Sequence, residues 1–296
     1  MSAAAVEPFW TEVPRDVLRV TGPDTVAFLQ GQLSQDVKAL APGASAWTFV
    51  LQPQGKVDAW MRVTRTGDDE VLLDVDGGFG PAVAERLERF KLRTKATVET
   101  LDWRCLAVRG VAAAAADSGA AGEGTLALDA GWGPIAGFDL LGPAPVAPAG
   151  VAEGTAGDYE ALRIECGVPA MGRELTARTI PAEAGVVERS VSFTKGCFTG
   201  QELVARIDSR GGKVPRRLRG LVLEGAGSLP EAGTAVLVGE DEVGEVTSAA
   251  WSTRRGGAVA LAYVKRDVEP PAEVAVGGAG GAGGEIAHLH ELPLLR

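Results

Sequence analysis

The sequence predicts an α+β protein in two parts: a region of mixed helices and strands over residues 1–212, and a small β-barrel or sandwich over residues 213–296. The first part alternates strands, helices and hairpins, which favours an α+β layout over a doubly wound parallel sheet. The second part contains short β-rich runs at fairly regular spacing, with turn residues between them. A length of 296 residues also suits about two domains.

Hydrophobic periodicity and turn residues place the elements of the first part. Pro and Gly at residues 53–56 separate two alternating apolar runs, as expected of a β-hairpin, and Pro23 suits the start of a helix. The predicted strands cover residues 15–21, 46–51, 57–64, 70–76, 98–101 and 105–109, and the predicted helices cover residues 25–37, 81–92 and 158–166.

The second part is predicted to be entirely β-structure. Its strands are expected at residues 218–223, 235–238, 243–251, 258–264, 273–276 and 286–292. A glycine-rich bend at residues 277–284 precedes the last strand. Two further low-complexity stretches, an Ala/Gly tract at residues 112–124 and a Pro/Gly/Ala connector at residues 142–157, lie within the first part.

Charge and composition disfavour several classes of protein. A formal net charge of −10, from 29 Lys and Arg against 39 Asp and Glu, disfavours a dedicated nucleic-acid-binding protein, which needs a broadly basic face. No apolar run reaches the roughly 20 residues that span a bilayer, and the N-terminus lacks the pattern of a secretory signal. We therefore expect a cytoplasmic protein with no membrane association.

Motifs for metal, disulfide and nucleotide binding are missing from the sequence. The cysteines Cys105, Cys166 and Cys197 form no CxxC pair, and His288 and His290 are the only histidines. Three separated cysteines and two histidines suit neither a structural zinc site nor a disulfide framework, so no metal site is predicted. Neither GxGxxG after a strand nor GxxxxGK[ST] occurs, which disfavours the nucleotide-binding folds of those two kinds.

Residues 192–211, with the sequence SFTKGCFTGQELVARIDSRG, carry the strongest chemical signal. Thr199 and Glu202 have the spacing of a capping box, which places Cys197 just before a helix N-terminus. The helix dipole and the ammonium group of Lys195 would then make Cys197 a more reactive thiol. From the residues alone two interpretations remain open: a reactive thiol site, or a strand-to-helix turn with a buried cysteine.

The octapeptide KGCFTGQE at residues 195–202 resembles the K-G-C-[F/Y]-x-G-Q-E signature of the YgfZ family of folate-binding proteins, which are relatives of the glycine cleavage T-protein. The resemblance extends along most of the chain. It includes VTGPD and FLQGQ at residues 20–24 and 28–32, PQGK at 53–56, LRIECGVP at 162–169 and IPAE at 180–183. Residues 112–157, a long stretch rich in Ala and Gly, depart from the pattern of the family.

The resemblance implies a GcvT/YgfZ-like ring, in which an interleaved α+β folate-binding region and a C-terminal β-barrel enclose tetrahydrofolate or a derivative. It also implies a role in iron–sulfur cluster assembly or repair, including the enzymes that modify tRNA. The implied partners are a folate small molecule and iron–sulfur client enzymes, together with a tRNA contact. Cys197 and Lys195 are the positions most closely tied to this role, as catalytic residues beside the folate pocket.

Several polar side chains are candidates for holding the folate. A carboxylate can accept two hydrogen bonds from the amino and N–H edge of a pterin, and an arginine can bind the folate glutamate. The alternatives are surface carboxylates in an acidic protein, a helix cap for Glu202 and helix stabilisation for Arg163. The candidate cofactor-binding residues are Lys195, Gln201, Glu202, Arg163, Glu165, Glu174 and Glu183.

Two clusters of basic residues occur despite the negative net charge, one at residues 86–95 and one at residues 206–219. The second cluster lies beside the predicted signature helix and has the charge to receive a folate polyglutamate tail or an RNA phosphate. The alternative is a solvated charged face, which is the usual role of such runs.

Three functions compete at this point. The first is a folate-dependent accessory protein for iron–sulfur enzymes. The second is a tetrahydrofolate-dependent aminomethyltransferase, which needs a carboxylate near the folate nitrogen, for which Asp74 and Asp76 lie in about the right part of the chain. The third, a thiol oxidoreductase, lacks a resolving cysteine near Cys197. We favour the accessory protein over the enzyme.

Overall fold

Two five-stranded sheets and a closed six-stranded barrel form the chain in the computed structural model, which describes residues 6–112, 121–225, 227–277 and 284–295. The α+β class and the C-terminal barrel are therefore confirmed. The elements are β1 Phe9–Glu12, β2 Arg15–Thr21, α1 Thr25–Gln32, β3 Ser45–Leu51, β4 Val57–Arg65, β5 Glu70–Asp76, α2 Gly80–Phe90, β6 Thr97–Leu101, β7 Arg104–Arg109, β8 Leu126–Asp129, β9 Gly137–Gly142, β10 Ala152–Glu153, α3 Ala156–Glu165, α4 Val187–Ser190, α5 Gln201–Ser209, β11 Arg216–Leu223, β12 Ala235–Val238, β13 Asp241–Ser252, β14 Gly257–Lys265, β15 Ala272–Val276 and β16 Glu285–His290.

The two sheets are built from residues 9–153 of the chain. One sheet has the order β3-β4-β5-β2-β6, with antiparallel pairs throughout, and it contains the predicted hairpin β3–β4. The other has the order β10-β1-β7-β9-β8, in which β1 pairs antiparallel with β7 and parallel with β10. Strands β1 and β2 are consecutive in the chain but belong to different sheets, so the short connection between them joins the two sheets.

The barrel has the strand order β11-β14-β13-β12-β15-β16. Strand β14 is apolar on both faces, which reflects the period of two along a strand. Ala258, Ala260 and Ala262 pack inside the barrel, whereas Val259 and Leu261 pack in a cluster with residues of α3. Burial of both faces of β14 therefore attaches the barrel to the first part of the chain.

Three sequence predictions need correction at the level of elements. The helix predicted over residues 25–37 ends at Gln32, because Leu33 is extended and forms a bridge with Val50 of β3. The helix predicted from residue 158 begins at Ala156, where Thr155 and Asp158 form a capping box. Strands β1, β8, β9 and β10 were not predicted; glycines flank the last three. Residues 113–120 of the Ala/Gly tract and 278–283 of the glycine-rich bend lie outside the described residues.

Candidate functional site

A cavity of about 540 Å³ lies where the two sheets meet α3 and the segment that follows it. Both sheets contribute side chains to its lining, among them Trp47 and Trp60 from one sheet and Arg109 and Asp139 from the other. A volume of this size falls within the range of about 300–1,000 Å³ that is typical of small-molecule sites. The cavity is therefore the candidate binding site.

Aromatic rings form two walls of the cavity. Trp47 and Trp60 stack with their ring centres 4.1 Å apart and their planes inclined by 17°. Trp132 and Tyr159 form the second pair, with ring centres 5.1 Å apart. Flat apolar surfaces of this kind favour a planar ring system, because stacking buries the ligand without leaving polar atoms unpaired.

A network of ion pairs joins residues of the cavity lining to the buried residues Arg62 and Asp74. Arg62, which is 1% exposed, donates to Asp74 at 3.0 Å and to Asp139 at 2.9 Å. Arg15 donates to the same Asp74 at 2.6 Å and to Asp76 at 2.5 Å. Buried charges are tolerated when they are paired and hydrogen bonded, so this network holds its members in place.

Two polar atoms in the cavity lining lack a hydrogen-bond partner within the protein. Asp139 Oδ1 lies 2.9 Å from Arg109 Nη1 as an ion pair but accepts no well-aligned hydrogen bond, and Arg109 Nε donates none. The Arg109 guanidinium lies 4.1 Å from the centre of the Trp132 ring. An unsatisfied buried polar atom is costly, so both atoms favour a bound polar ligand.

Asp139 stays ionised despite its burial. Burial would raise the pKa of its carboxyl group, but the guanidinium groups of Arg109 and Arg62 hold this pKa below its usual value. An ionised carboxylate can accept further hydrogen bonds from the N–H groups of a ligand, because each of its oxygens carries two lone pairs. Sequence reasoning missed Asp139. Its signal was a single acidic residue inside the apolar run GFDLLG at residues 137–142.

Arg163 is the one predicted ligand-binding residue found among the described residues that line the cavity. Its guanidinium is already engaged within the protein. It donates to Glu160 at 2.6 Å, to Glu174 at 3.1 Å and to the Val168 carbonyl at 2.5 Å. These contacts are those of a residue that fixes α3 to the following segment.

The three glutamates that were candidates for the pterin lie at the junction with the barrel. Glu165 accepts from Ser252 at 2.5 Å and pairs with Arg254. Glu183 lies 3.5 Å from the Nε of Arg216. Each of these carboxylates is buried and contacts the barrel, as does Glu174. Their positions favour joining the two parts of the chain, and the described lining of the cavity does not include them.

The Lys195 side chain crosses to the C-terminal end of α1. Its ammonium group donates to the carbonyls of Gln30, Leu33 and Gln35 at 2.7, 2.6 and 2.9 Å. All three of its N–H donors are thereby engaged, and the half-buried position lowers the pKa of Lys195 to about 8. Lys195 therefore anchors the loop that carries Cys197 to α1.

The predicted capping box at Thr199 and Glu202 is wrong. Helix α5 is preceded by Gly200, whose φ of 81° is left-handed, and the helix start has no side-chain cap. Gln201 instead accepts a hydrogen bond from the Phe198 amide at 3.1 Å, and Glu202 is exposed. A β-carbon at residue 200 would lie 2.5 Å from the Gln52 carbonyl, so close approach of the β3–β4 turn requires glycine there.

Three of the motifs that carry the family resemblance meet at this loop. Lys195 contacts the FLQGQ segment at Gln30, and the Thr199 amide donates to the Gly31 carbonyl at 3.4 Å. Gly200 packs against Gly55 of the PQGK turn, where a β-carbon on residue 200 would lie 3.2 Å from the Gly55 Cα. The sequence separations of these motifs gave no indication of this contact.

Cys197 is exposed, whereas Cys105 and Cys166 are buried. Burial raises the pKa of the Cys166 thiol to about 12 and raises that of Cys105 further. Cys105 and Cys166 are therefore packing residues. Cys197 is not among the described residues of the cavity lining, and its reactivity stays a prediction.

The second basic cluster lies partly in a cleft of about 510 Å³ on the barrel. Lys213, Arg217 and Arg219 line this cleft, but Asp267 and Glu291 line it as well. Arg219 pairs with Glu291 at 2.6 Å. The mixture of charges makes the cleft a weaker anion site than the sequence cluster suggested.

Replacing Gly200 with alanine is expected to destabilise the protein by at least about 1–3 kcal/mol, the cost of the left-handed conformation alone, to which the clash with Gln52 adds. Urea denaturation would measure this change. Gly196→Ala in the same loop is the matched control, because a β-carbon there meets no atom within 4 Å. The explanation fails if both variants unfold at the same urea concentration.

In the part of the chain that the structure describes, no group of three or more His, Cys, Asp or Glu residues is arranged to hold a metal ion. Among the described helices, none is long and apolar enough to cross a membrane.

Comparison with known proteins gives one domain match. Residues 216–282 match the glycine cleavage T-protein C-terminal barrel domain. These residues begin with β11 and include β12 to β15, so the match coincides with most of the closed barrel.

Longer relatives fall into two functional groups. The chain is 29% identical over 320 residues to an aminomethyltransferase of Streptomyces avermitilis, covering 93% of this chain and 81% of that protein. It is 31% identical over 238 residues to the iron–sulfur cluster assembly factor IBA57 homolog, mitochondrial, of Mycosarcoma maydis, covering 74% of this chain but only 58% of that protein. It also spans 66% of an uncharacterized Haemophilus influenzae protein at 28% identity.

A solved structure has the same fold. The glycine cleavage system aminomethyltransferase T from Bartonella henselae superposes with a TM-score of 0.79 at 22% identity, covering 98% of this chain and 86% of that one. The similarity therefore extends over both sheets as well as the barrel.

Proposed function

We propose that the chain, which resembles the glycine cleavage T-protein in its C-terminal barrel and in its overall fold, binds tetrahydrofolate or a derivative in the cavity and acts as an accessory protein in iron–sulfur cluster assembly or repair. The observation that carries the binding part is Asp139 in the cavity lining, whose Oδ1 is ion-paired with Arg109 but accepts no well-aligned hydrogen bond. A pterin presents adjacent amino and ring N–H donors, and a carboxylate oxygen is their natural acceptor.

The residues present fit such a ligand. The stacked Trp47 and Trp60 and the Trp132–Tyr159 pair supply apolar walls for a planar ring. Arg173, half exposed at the cavity edge, pairs with Glu160 and offers positive charge to the glutamate end of a folate. The protein's part is to bind and orient the ring, and to exclude water from its polar edge.

Binding can be tested with folinic acid and intrinsic fluorescence. Because three tryptophans line the cavity, saturable quenching of tryptophan emission is expected. Equilibrium dialysis should give the same dissociation constant and about one ligand per chain. Absence of saturable binding by both methods would remove the folate part of the proposal.

The accessory role rests on Cys197 and on the relative named as an iron–sulfur cluster assembly factor. Cys197 is exposed on a loop that Lys195 anchors, so it is accessible to a partner protein. In the proposal its thiol is the group that contacts client iron–sulfur enzymes in the cytoplasm, including those that modify tRNA. The basic cluster at residues 206–219 is the surface proposed for a tRNA contact.

Cys197→Ser is expected to abolish the support of iron–sulfur enzyme activity in a strain that lacks this gene, while thermal unfolding of the purified protein stays unchanged. The exposed position of the side chain explains why folding should be insensitive. Thr194→Ala, an exposed change in the same loop, is the control and should restore activity. Full restoration by the serine variant would exclude a role for the thiol.

The second candidate function is a tetrahydrofolate-dependent aminomethyltransferase, favoured by relatives of that name that match 81% of their length. Asp76 is the carboxylate in question, since it lines the cavity while Asp74 is buried in ion pairs. Both Asp76 oxygens already accept hydrogen bonds, from Arg15 at 2.5 Å and from the Met171 amide at 2.9 Å. Release of ammonia from an aminomethyl-lipoyl carrier in the presence of tetrahydrofolate would favour this enzyme.

A further inference from the structure

A buried hydrogen-bonded path leads from the cavity wall toward the Cys197 loop. The indole N–H of Trp60 donates to Ser190 Oγ at 2.9 Å. The carbonyl of Ser190 accepts from Ser34 Oγ at 2.6 Å. Both serines are fully buried, so neither hydrogen bond can be exchanged for one with water without opening the structure.

The path continues from Ser34 to the loop. The Ser34 carbonyl accepts from the Ser192 amide at 3.0 Å, and the flanking carbonyls of Leu33 and Gln35 accept from Lys195 Nζ. Lys195 lies two residues before Cys197. A displacement of residues 33–35 would therefore change two of the three hydrogen bonds of Lys195, which anchors the loop that carries the exposed thiol.

A second set of contacts joins the same residues to the cavity wall through β3. Thr48 Oγ1 accepts from the Gln35 amide at 3.1 Å, and the Phe49 amide donates to Ser34 Oγ at 2.8 Å. These residues follow Trp47, whose ring stacks on Trp60 inside the cavity. Residues 34 and 35 are thus connected by hydrogen bonds to both members of the Trp47–Trp60 pair: to Trp60 through Ser190, and to the strand that carries Trp47.

These contacts couple the cavity to the Cys197 loop, although Cys197 is not among the described residues that line the cavity. A ligand that packs against Trp60 changes the position or freedom of its indole group. The hydrogen bonds behind it are buried and therefore strong, so a shift of the indole group changes the geometry of Ser190 and Ser34. An exposed, water-satisfied contact would not transmit it.

We infer that Ser190, Ser34 and Lys195 are positioning residues that link occupancy of the cavity to the reactivity of Cys197, so that a bound folate-type ligand tunes the reaction of the thiol with its partner. The nature of the ligand rests on the proposed function. The link is a property of the hydrogen-bonded path and is measured separately from binding.

The first experiment compares alkylation of Cys197 with and without saturating folinic acid. Iodoacetamide forms an S–C bond with the thiol, iodide leaves and the thiol proton passes to water, and mass spectrometry of the peptide gives the rate. Folinic acid should change this rate by at least about fivefold, within the usual range of coupling between two sites.

Variants then separate the path from the cavity. Ser190→Ala removes the acceptor of the Trp60 N–H, and Trp60→Phe removes the donor while keeping an aromatic wall. At folinic acid concentrations that saturate each variant, both should bring the ratio of alkylation rates close to one. Trp132→Phe, a change in the other aromatic pair, is the matched control and should keep the wild-type ratio.

The outcomes are distinguishable. If wild-type protein binds folinic acid but its alkylation rate is unchanged, the link is absent while the proposed binding function stands. If Trp60→Phe and Trp132→Phe lower the ratio equally, the path through Ser190 is also excluded. If folinic acid does not bind at all, both the proposed function and the inference built on it are overturned.

Discussion

Replacing Glu174 with alanine is expected to lower the free energy of unfolding by about 3–5 kcal/mol, the cost of removing one partner from a buried ion pair. Glu174 is 0% exposed and accepts hydrogen bonds from Arg163 at 3.1 Å, from Thr247 at 2.7 Å and from Ser248 at 2.5 Å. Its loss leaves the buried guanidinium of Arg163 and two hydroxyl groups of β13 short of a partner. Urea denaturation followed by circular dichroism would measure the change.

The control for Glu174→Ala is the substitution of a glutamate that forms an exposed ion pair on the surface of the barrel. Glu245 lies 3.3 Å from Arg216 and is more than half exposed. Exposed ion pairs contribute at most about 1 kcal/mol, so Glu245→Ala should change stability little. Equal effects of the two substitutions would mean that Glu174 does not hold the barrel to the rest of the chain.

Replacing Asp139 with asparagine is expected to weaken folinic acid binding by about 10- to 150-fold, the equivalent of one hydrogen bond to a charged group at about 1.5–3 kcal/mol. The asparagine keeps the size of the side chain but replaces one acceptor oxygen with a donor. Because Arg62 and Arg109 also lose their charge partner, some loss of stability is expected as well. Titration well below the unfolding temperature separates the two effects.

Glu12→Gln is the matched control for binding. Glu12 also lines the cavity, but it is half exposed and pairs with Arg104 at the surface. Its neutralisation should change the folinic acid dissociation constant by less than about twofold, since exposed charges are screened by water. A similar loss of binding in both variants would indicate a general effect of negative charge and would contradict a specific role for Asp139.

Local signals in the sequence predicted the elements well where periodicity and turn chemistry agree. The hairpin at residues 46–64 and the strand at residues 70–76 were predicted within one residue at each end. The prediction of α1 was too long, because the apolar residue Leu33 continues the helical pattern but forms a bridge with β3 instead. Long-range pairing overrode local periodicity there.

The candidate site was predicted less well, and the reason is physical. A glutamate that binds a ligand and a glutamate that binds an arginine of the same chain have the same local pattern, so Glu165, Glu174 and Glu183 could not be sorted from the sequence. Thr199 and Glu202 had the spacing of a capping box, but the close approach of Gln52 selects Gly200 at the start of the helix. Whether Cys197 acts as the reactive thiol stays a prediction.

By itself, the sequence determined the α+β class, the β-barrel at the C-terminal end and the segments that resemble folate-binding proteins, because all of these depend on the order of residues along the chain. Only the tertiary structure decided which charges meet. It placed Asp139 in the cavity lining, ion-paired with Arg109 and Arg62, and it engaged Lys195 with three carbonyls of a segment about 160 residues away. Burial and pairing of charges depend on distances in space, which the sequence does not contain.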